Sequence, residues 1–162
     1  MLDVFWQELT SGMHDSKQLA RIAIRLLAAA ILGAIVGLQR ETTHKPAGLR
    51  THMLVSLSTA GFVISSAALG LSGEGVSRVI QGIVTGIGFI GGGSILKLSD
   101  QHEVKGLTTA ASVWMTSAIG VTVGLGGLGI ALIVTALALL ILALAGIERR
   151  VETKRTDIDE HV

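Results

Sequence analysis

The sequence predicts an all-α polytopic membrane protein, a bundle of about five transmembrane helices. Of its 162 residues, 49% are hydrophobic and only 15% are charged, and its mean hydropathy of +0.65 lies above that of ordinary soluble domains. Segments 51–73, 79–96 and 106–147 contain no Asp, Glu, Lys or Arg. Because a bilayer core about 30 Å thick needs roughly 20 helical residues, uncharged runs of these lengths indicate membrane spans.

Five crossings follow when each run is fitted to the bilayer. Segment 22–38 supplies the first span, and Arg25 near its start can reach the headgroups along its aliphatic stem. The first two uncharged runs supply one crossing each. The last run, 106–147, is long enough for two, and the glycines within 124–129 predict the break between them.

The chain divides into a membrane domain and two short polar ends. Residues 1–20 form an N-terminal segment that is either an interfacial helix or frayed. Residues 21–147 form the membrane domain. Residues 148–162 form a polar tail of mixed charge, too poor in apolar side chains to bury a core. Acidic residues, Asp3 and Glu8, stand where a signal peptide carries positive charge, so we expect the first span to be retained.

The distribution of basic residues predicts the orientation. Basic side chains are enriched on the cytoplasmic side of membranes. Nine of the thirteen lie in the first and third connections and the tail: Arg40, Lys45, Arg50, Lys97, Lys105, Arg149, Arg150, Lys154 and Arg155. Four oppose this assignment: Lys17, Arg21, Arg25 and Arg78. We therefore expect the N-terminus outside and the C-terminus in the cytoplasm.

A weak internal repeat relates the second span to the fourth. Segment 47–60 aligns with 105–118, so that Gly48 falls on Gly106 and Thr51 on Thr109. The first span aligns with the third in the same way. A true repeat would give two parallel hairpins plus one added helix, but matches this sparse also arise by chance.

The third span is rich in glycine. Its string from Gly86 to Gly91 spells GxGxxG, but neither a predicted strand before it nor an acidic ribose partner after it supports a dinucleotide site. Spacing of four between Gly82 and Gly86 instead favours close helix packing. Three successive glycines at 91–93 could also loosen the helix and expose its carbonyl groups. An ion site is therefore the alternative to close packing. The candidate packing or pore-lining residues are Gly82, Gly86, Gly88, Gly91, Gly92, Ser112 and Thr116.

The basic loop before the second span allows two interpretations. It could be a solvated loop that faces anionic lipid. Alternatively, the second and fourth helices both begin at this side, and helix N-termini attract anions through free amides and the macrodipole. Arg50 could then add a bidentate grip on a carboxylate or phosphate. The candidate residues for binding an anion or a partner are Arg40, Glu41, Arg50, Thr51, Thr108 and Thr109.

Polar residues within the spans argue against several classes of function. Thr108, Ser112 and Thr116 recur at four-residue spacing, which favours hydrogen bonds between helices over bonds back to their own carbonyls. The cores of spans two to five have no ionisable residue, which argues against a proton-coupled transporter.

No catalytic or metal-binding constellation is visible. The chain has no cysteine, and its five histidines fall in segments predicted at the surface without paired spacing. We find no nucleophile beside a base. We therefore expect no catalytic residue, no metal site, no cofactor and no nucleic-acid partner, and a protein that is not an enzyme.

Three motifs occur along the chain in this order: GLQRETTHKPAGLRTH, GIGFIGGGSIL and VKGLTTAASVWMTSAIG. Together they resemble the MgtC/SapB family of bacterial inner-membrane proteins. The resemblance covers residue 25 to the end of the fifth span. It implies a non-enzymatic regulator linked to magnesium limitation, acid stress and, in intracellular pathogens, survival inside phagocytes. It also implies membrane partners such as the F-type ATP synthase, and we expect a homo-oligomer.

A rival class is a small oligomeric cation transporter or channel with the glycine-rich span along its path. The sequence departs from the family in two ways. Family members commonly have Glu-Arg after the first span, whereas this chain has Gln39, Arg40 and Glu41, so the role of that glutamate is moved to Glu41 or lost. Many relatives also append a soluble C-terminal domain, which we do not expect here.

Overall fold

The computed structural model describes residues 1–5, 16–98 and 103–159, with side chains described for 1–5, 16–95 and 104–144. Its helices are α1 Ser16–Thr42, α2 Leu49–Ala68, α3 Gly73–Gly93, α4 Leu107–Gly124 and α5 Leu128–Asp159. A two-stranded antiparallel hairpin, β1 Leu96–Leu98 and β2 Glu103–Lys105, joins α3 to α4. The predicted all-α bundle is confirmed for the described residues, and the hairpin is a small addition that the sequence did not predict. Half of the predicted N-terminal segment 1–20, residues 6–15, lies outside the described residues.

Glycines set the helix boundaries where the sequence predicted them. Helix α2 begins directly after Gly48, and α4 begins directly after Gly106, whose φ of 97° is in the left-handed region. The long apolar run is cut between Gly124, the last residue of α4, and Leu128, the first of α5. Gly126 turns the chain there with a φ of 90°. The predicted break in this run is therefore confirmed.

Three helices, α1, α2 and α4, are long and apolar enough to cross a membrane by length and composition. Helix α5 contributes a shorter apolar stretch, Leu128–Leu144. Helix α3 has 21 residues and is not among these three. Large apolar side chains such as Phe62 and Leu140, each 59% exposed, cover the outside of the bundle, as expected where lipid is the solvent. The chain is a membrane protein, and the count of five crossings stays a prediction.

Helix α2 lies between α1 and α4, and glycines on both sides bring the backbones close. A Cβ added to Gly33 of α1 would lie 2.6 Å from the carbonyl oxygen of His52 on α2. On the other side, Gly120 and Gly124 of α4 approach α2 in the same way. Gly33 with Gly37, and Gly120 with Gly124, have the small-xxx-small spacing of close membrane helix pairs. These three helices form the core that positions the polar residues below.

Helix α3 packs less closely on the rest of the bundle. It contacts α4 near its own C-terminal end. A Cβ added to Gly91 of α3 would lie 3.6 Å from the carbonyl oxygen of Ala110 on α4. Ile87 of α3 is buried beside Val55 and Val113. Between α2 and the rest of α3 runs an open apolar groove of about 570 Å³. The two hairpins of the proposed repeat therefore pack differently.

Candidate functional site

Polar side chains meet at one end of the bundle, where three helix termini come together. The short connection through Pro46 turns the last turn of α1 directly into the first turn of α2, and the hairpin delivers the first turns of α4 to the same end. Four buried residues converge there, and we call them the polar cluster: Arg40 of α1, His52 of α2, and Thr109 and Ser112 of α4.

Arg40 is the largest fully buried side chain in the described part of the protein, at 2% exposure. Its Nη2 donates a hydrogen bond of 3.0 Å to Thr109 Oγ1. Its Nε is buried without a hydrogen-bond partner. No carboxylate among the described residues lies within 4.0 Å of this guanidinium. A buried cation without a countercharge is costly, so Arg40 is an unusual feature in the protein.

His52 is fully buried, at 0% exposure, between α2 and α4. Its Nδ1 lies 2.9 Å from the Gly48 carbonyl oxygen, which can only accept, so Nδ1 donates in this contact. Its Nε2 lies 3.3 Å from Ser112 Oγ. The prediction that all histidines occupy surface segments is therefore wrong for His52. The reason is that α2 already starts at Leu49, so the fourth residue of the helix faces α4 and is covered by α1 at Gly33.

The chain's own carboxylate occupies the N-terminus of α2. Glu41 Oε2 accepts a hydrogen bond of 2.8 Å from the amide of Leu49, the first residue of the helix. This arrangement is favoured because the N-terminus of a helix carries partial positive charge. The sequence predicted an anion at this helix terminus, and at α2 the carboxylate of Glu41 is that anion.

The other predicted binding residues do not all converge. Thr109 meets Arg40, whereas Arg50 and Thr108 are exposed and Thr51 is half-buried. Arg50 therefore lies on the surface of the first turn of α2 rather than over the polar cluster. The structure brings together one arginine and one threonine of the predicted set, and their role in binding stays a prediction.

The buried hydroxyls satisfy their hydrogen bonds in two ways. Ser112 Oγ donates to the Thr109 carbonyl oxygen and Thr116 Oγ1 to that of Ser112, both at 2.8 Å within α4. Contacts between helices occur instead at His52 with Ser112 and at Thr59 Oγ1, which lies 3.2 Å from the Ser117 carbonyl oxygen. Thr116 thus bonds to its own helix, against our preference for bonds between helices, and sequence reasoning missed Thr59.

The glycines of α3 are mostly open. A Cβ added to Gly82, Gly86, Gly88 or Gly92 would meet no heavy atom within 4 Å, whereas Gly91 is buried against α4. Close packing of Gly82 and Gly86 therefore does not occur within the chain. Packing against another copy, or lining of a path, stays a prediction for these residues. The helix itself remains regular through the three successive glycines and ends at Gly93.

At the opposite end of the bundle Arg25 closes the C-terminus of α4. Its Nη1 donates a hydrogen bond of 3.1 Å to the Gly124 carbonyl oxygen. A cation at the C-terminal end of a helix is favourable for the macrodipole. The predicted role of Arg25, a cation that reaches one membrane surface, is thereby joined to a specific contact.

Among the described residues, no three His, Asp or Glu side chains lie close enough together to hold a metal ion.

These features define a helical membrane protein with a buried cluster of basic and hydroxyl side chains at one end. The MgtC family model matches residues 26–152, so the chain belongs to the MgtC family. The predicted resemblance is therefore confirmed.

Individual relatives agree with this assignment. The chain is 41% identical to SrpB of Synechococcus elongatus, with 75% of this chain and 73% of that protein covered. It is 43% identical to YhiD of Escherichia coli K12, which is named as a candidate magnesium transporter, over 66% of this chain and 52% of that protein. It is 40% identical to MgtC of Brucella abortus, over 79% and 52%. The chain thus spans about half the length of the last two. No solved structure gives a significant match.

Proposed function

We propose that this protein is a non-enzymatic regulator or accessory protein of the bacterial inner membrane that serves magnesium homeostasis through membrane partners. Membership in the MgtC family and the name of the relative YhiD support the link to magnesium. The resemblance of the sequence motifs supports a role under magnesium limitation and related stress, including that of pathogens within a host. We place the N-terminus outside and the C-terminus in the cytoplasm, on the distribution of basic residues.

The observation that carries the proposal is that the buried ionisable side chains of the bundle are basic and not acidic. Arg40 and His52 are the ionisable side chains buried among residues 16–95 and 104–144, and no Asp or Glu is buried there. Magnesium binds to oxygen ligands, above all carboxylates, and keeps part of its hydration shell. A buried guanidinium repels a divalent cation strongly where the dielectric constant is low. The interior of this bundle is therefore a poor path for magnesium, which favours regulation over transport.

Partners are expected at the helix surfaces, because the described residues contain no soluble domain that could receive them. The family resemblance suggests a membrane ATPase or ATP synthase, and the open groove between α2 and α3 suggests a second copy of the chain. Cross-linking in native membranes followed by purification distinguishes these partners. A co-isolated ATPase supports the first, and a ladder of cross-linked copies supports the second.

One observation favours the rival function of a small oligomeric cation transporter. A Cβ added to Gly82, Gly86 or Gly88 of α3 would meet no heavy atom of the described residues within 4 Å. In an oligomer, open glycines of this kind would bring α3 helices together or expose their carbonyls to a central path.

Magnesium flux into sealed proteoliposomes that contain a magnesium-sensitive dye tests the proposal. We expect no flux above that of protein-free vesicles. Saturable flux that is abolished in Gly88→Leu would overturn the regulator and establish the rival. Gly88 suits this test because a side chain there meets nothing within the chain, and Gly61→Leu, at an equally open position of α2, is the matched control.

A further inference from the structure

Arg40 is a buried cation that has no countercharge among the described residues. Arg40 is 2% exposed, and among the described residues its Nε has no hydrogen-bond partner and no carboxylate reaches its guanidinium. Neighbouring Glu41 is engaged elsewhere, by the amide of Leu49. Among the described residues, the side chain of Arg40 donates a hydrogen bond to Thr109 Oγ1, which is a neutral group. Retaining an unpaired charge at such a position is unfavourable unless an anion completes it.

The contact with Thr109 holds the guanidinium at the N-terminus of α4. Thr109 is the third residue of this helix, which begins at Leu107. The first amides of a helix have no partner within the helix and carry partial positive charge. Gly106 precedes the helix and supplies no side-chain cap. Unlike α2, whose first amide binds Glu41, α4 therefore keeps its anion-attracting terminus beside a buried arginine.

A small cavity lies beside this pair. It has a volume of about 120 Å³ and is bounded by α1, α4 and α5. Its lining is mostly apolar and includes neither Arg40 nor Thr109; the lining residues are Val36, Thr108, Ala111, Ser112, Met115, Ala138, Ile141 and Leu142. An apolar cavity does not suit an anion, so the candidate site is the guanidinium with the first turn of α4 and not this cavity.

We propose that Arg40 and the first turn of α4 form a binding site for a phosphate oxyanion, supplied either by the headgroup of an anionic phospholipid or by free phosphate. The guanidinium fork, free helix amides and hydroxyl groups are donors that match the several oxygens of a phosphate. The position in the last turn of α1 places the site at one end of the bundle, where lipid headgroups are expected. This inference goes beyond the proposed function and does not depend on it, because binding is measured on purified protein without a magnesium gradient.

The test uses the full chain in nanodiscs and follows the midpoint of thermal unfolding. In one arm, nanodiscs of phosphatidylcholine receive inorganic phosphate, with chloride at equal ionic strength as the control. In the other arm, part of the phosphatidylcholine is replaced by phosphatidylglycerol. We expect the midpoint of the wild-type protein to rise in at least one arm. A response to inorganic phosphate identifies free phosphate as the source, and a response to phosphatidylglycerol alone identifies the headgroup.

Arg40→Gln is the informative variant, and Arg78→Gln is its control for the loss of one positive charge, since Arg78 is exposed and lies outside the candidate binding residues. We expect Arg40→Gln to weaken the response about tenfold or more, because hydrogen bonds to a charged group are lost, and Arg78→Gln to keep it. In phosphatidylcholine without phosphate, Arg40→Gln should be at least as stable as wild type, because the unpaired charge is gone.

The proposal is overturned if the wild-type midpoint is unmoved in both arms, or if Arg40→Gln responds as wild type does. The wild-type titrations decide the matter even where the variant does not fold. Failure in this assay with an unchanged absence of magnesium flux would reject the anion site and leave the proposed function standing.

Discussion

Replacing Gly33 by alanine tests how the core of the bundle is built. A Cβ at this position would lie 2.6 Å from the His52 carbonyl oxygen and 2.9 Å from Ser56 Cβ. Carbon atoms in contact are ordinarily about 3.5–4.0 Å apart, so α1 and α2 would have to separate by roughly 1 Å. Overpacking of this kind costs about 1–3 kcal/mol.

An opposing gain has to be subtracted. Alanine is a better helix former than glycine by about 1 kcal/mol. We therefore expect Gly33→Ala to lower the free energy of unfolding by up to about 2 kcal/mol. Gly86→Ala is the matched control, because a Cβ there meets nothing within 4 Å and only the gain in helix propensity applies.

Titration of the protein in mixed micelles with sodium dodecyl sulfate measures the free energy of unfolding of both variants. We expect the two to differ by about 1–3 kcal/mol, with Gly33→Ala the less stable, because both variants gain the same helix propensity and only Gly33→Ala is overpacked. Equal stabilities, or a more stable Gly33→Ala, would refute the close approach of α1 to α2. A destabilised Gly86→Ala would instead indicate that α3 packs on a second copy in the micelle.

Three further substitutions test local contacts by the same titration. Thr109→Val removes the acceptor of the buried Arg40 and should cost about 1–3 kcal/mol, whereas the exposed Thr108→Val should stay within about 0.5 kcal/mol of wild type; equal effects would contradict the hydrogen bond. Glu41→Gln should cost about 0.3–1 kcal/mol through the lost charge at the N-terminus of α2, and a loss that does not shrink at high salt would contradict this cause. Gly126→Ala should cost about 1–2 kcal/mol, because its φ of 90° strains any L side chain; tolerance equal to that of Gly129→Ala, at an open position, would contradict it.

The outline of the fold could be predicted because it depends on local chemistry. Missing charges mark the apolar helices, and glycine or proline marks the positions where a helix has to stop. The break at 124–129 is an example, since the left-handed φ of Gly126 is a conformation that glycine adopts without strain. The hairpin was missed because strands of three residues are too short to show an alternating pattern.

The packing faces could not be predicted from one sequence. The glycine-rich α3 attracted the prediction of close packing, yet the close approaches within the chain are made by Gly33, Gly37, Gly120 and Gly124. Both pairs have the same spacing of four as Gly82 and Gly86, so spacing alone does not single them out. Spacing shows that a helix has a small face, but not which neighbour that face meets, because this depends on how the helices are arranged in three dimensions.

Only part of the candidate site could be predicted, because the sequence alone does not show how the helices are arranged in three dimensions. Arg40 and Thr109 were selected because helix termini gather at one side of the membrane, and the structure joins them. His52 was dismissed because it stands near a polar loop. Its burial follows from the direction in which the first turn of α2 faces, which depends on contacts with α1 and α4.

Growth under magnesium limitation tests the central claim, that this protein serves magnesium homeostasis as a regulator without a path along α3; we infer in addition that the buried Arg40 is required for this role. Cells lacking their own MgtC family protein would receive the wild-type chain, Arg40→Gln, Gly88→Leu or, as a control, Arg78→Gln, an exposed residue at the other end of the bundle. Equal amounts in the membrane fraction would be verified for each. We predict that Arg40→Gln fails to restore growth while Gly88→Leu and Arg78→Gln restore it. Restored growth with Arg40→Gln and loss with Gly88→Leu would contradict the claim.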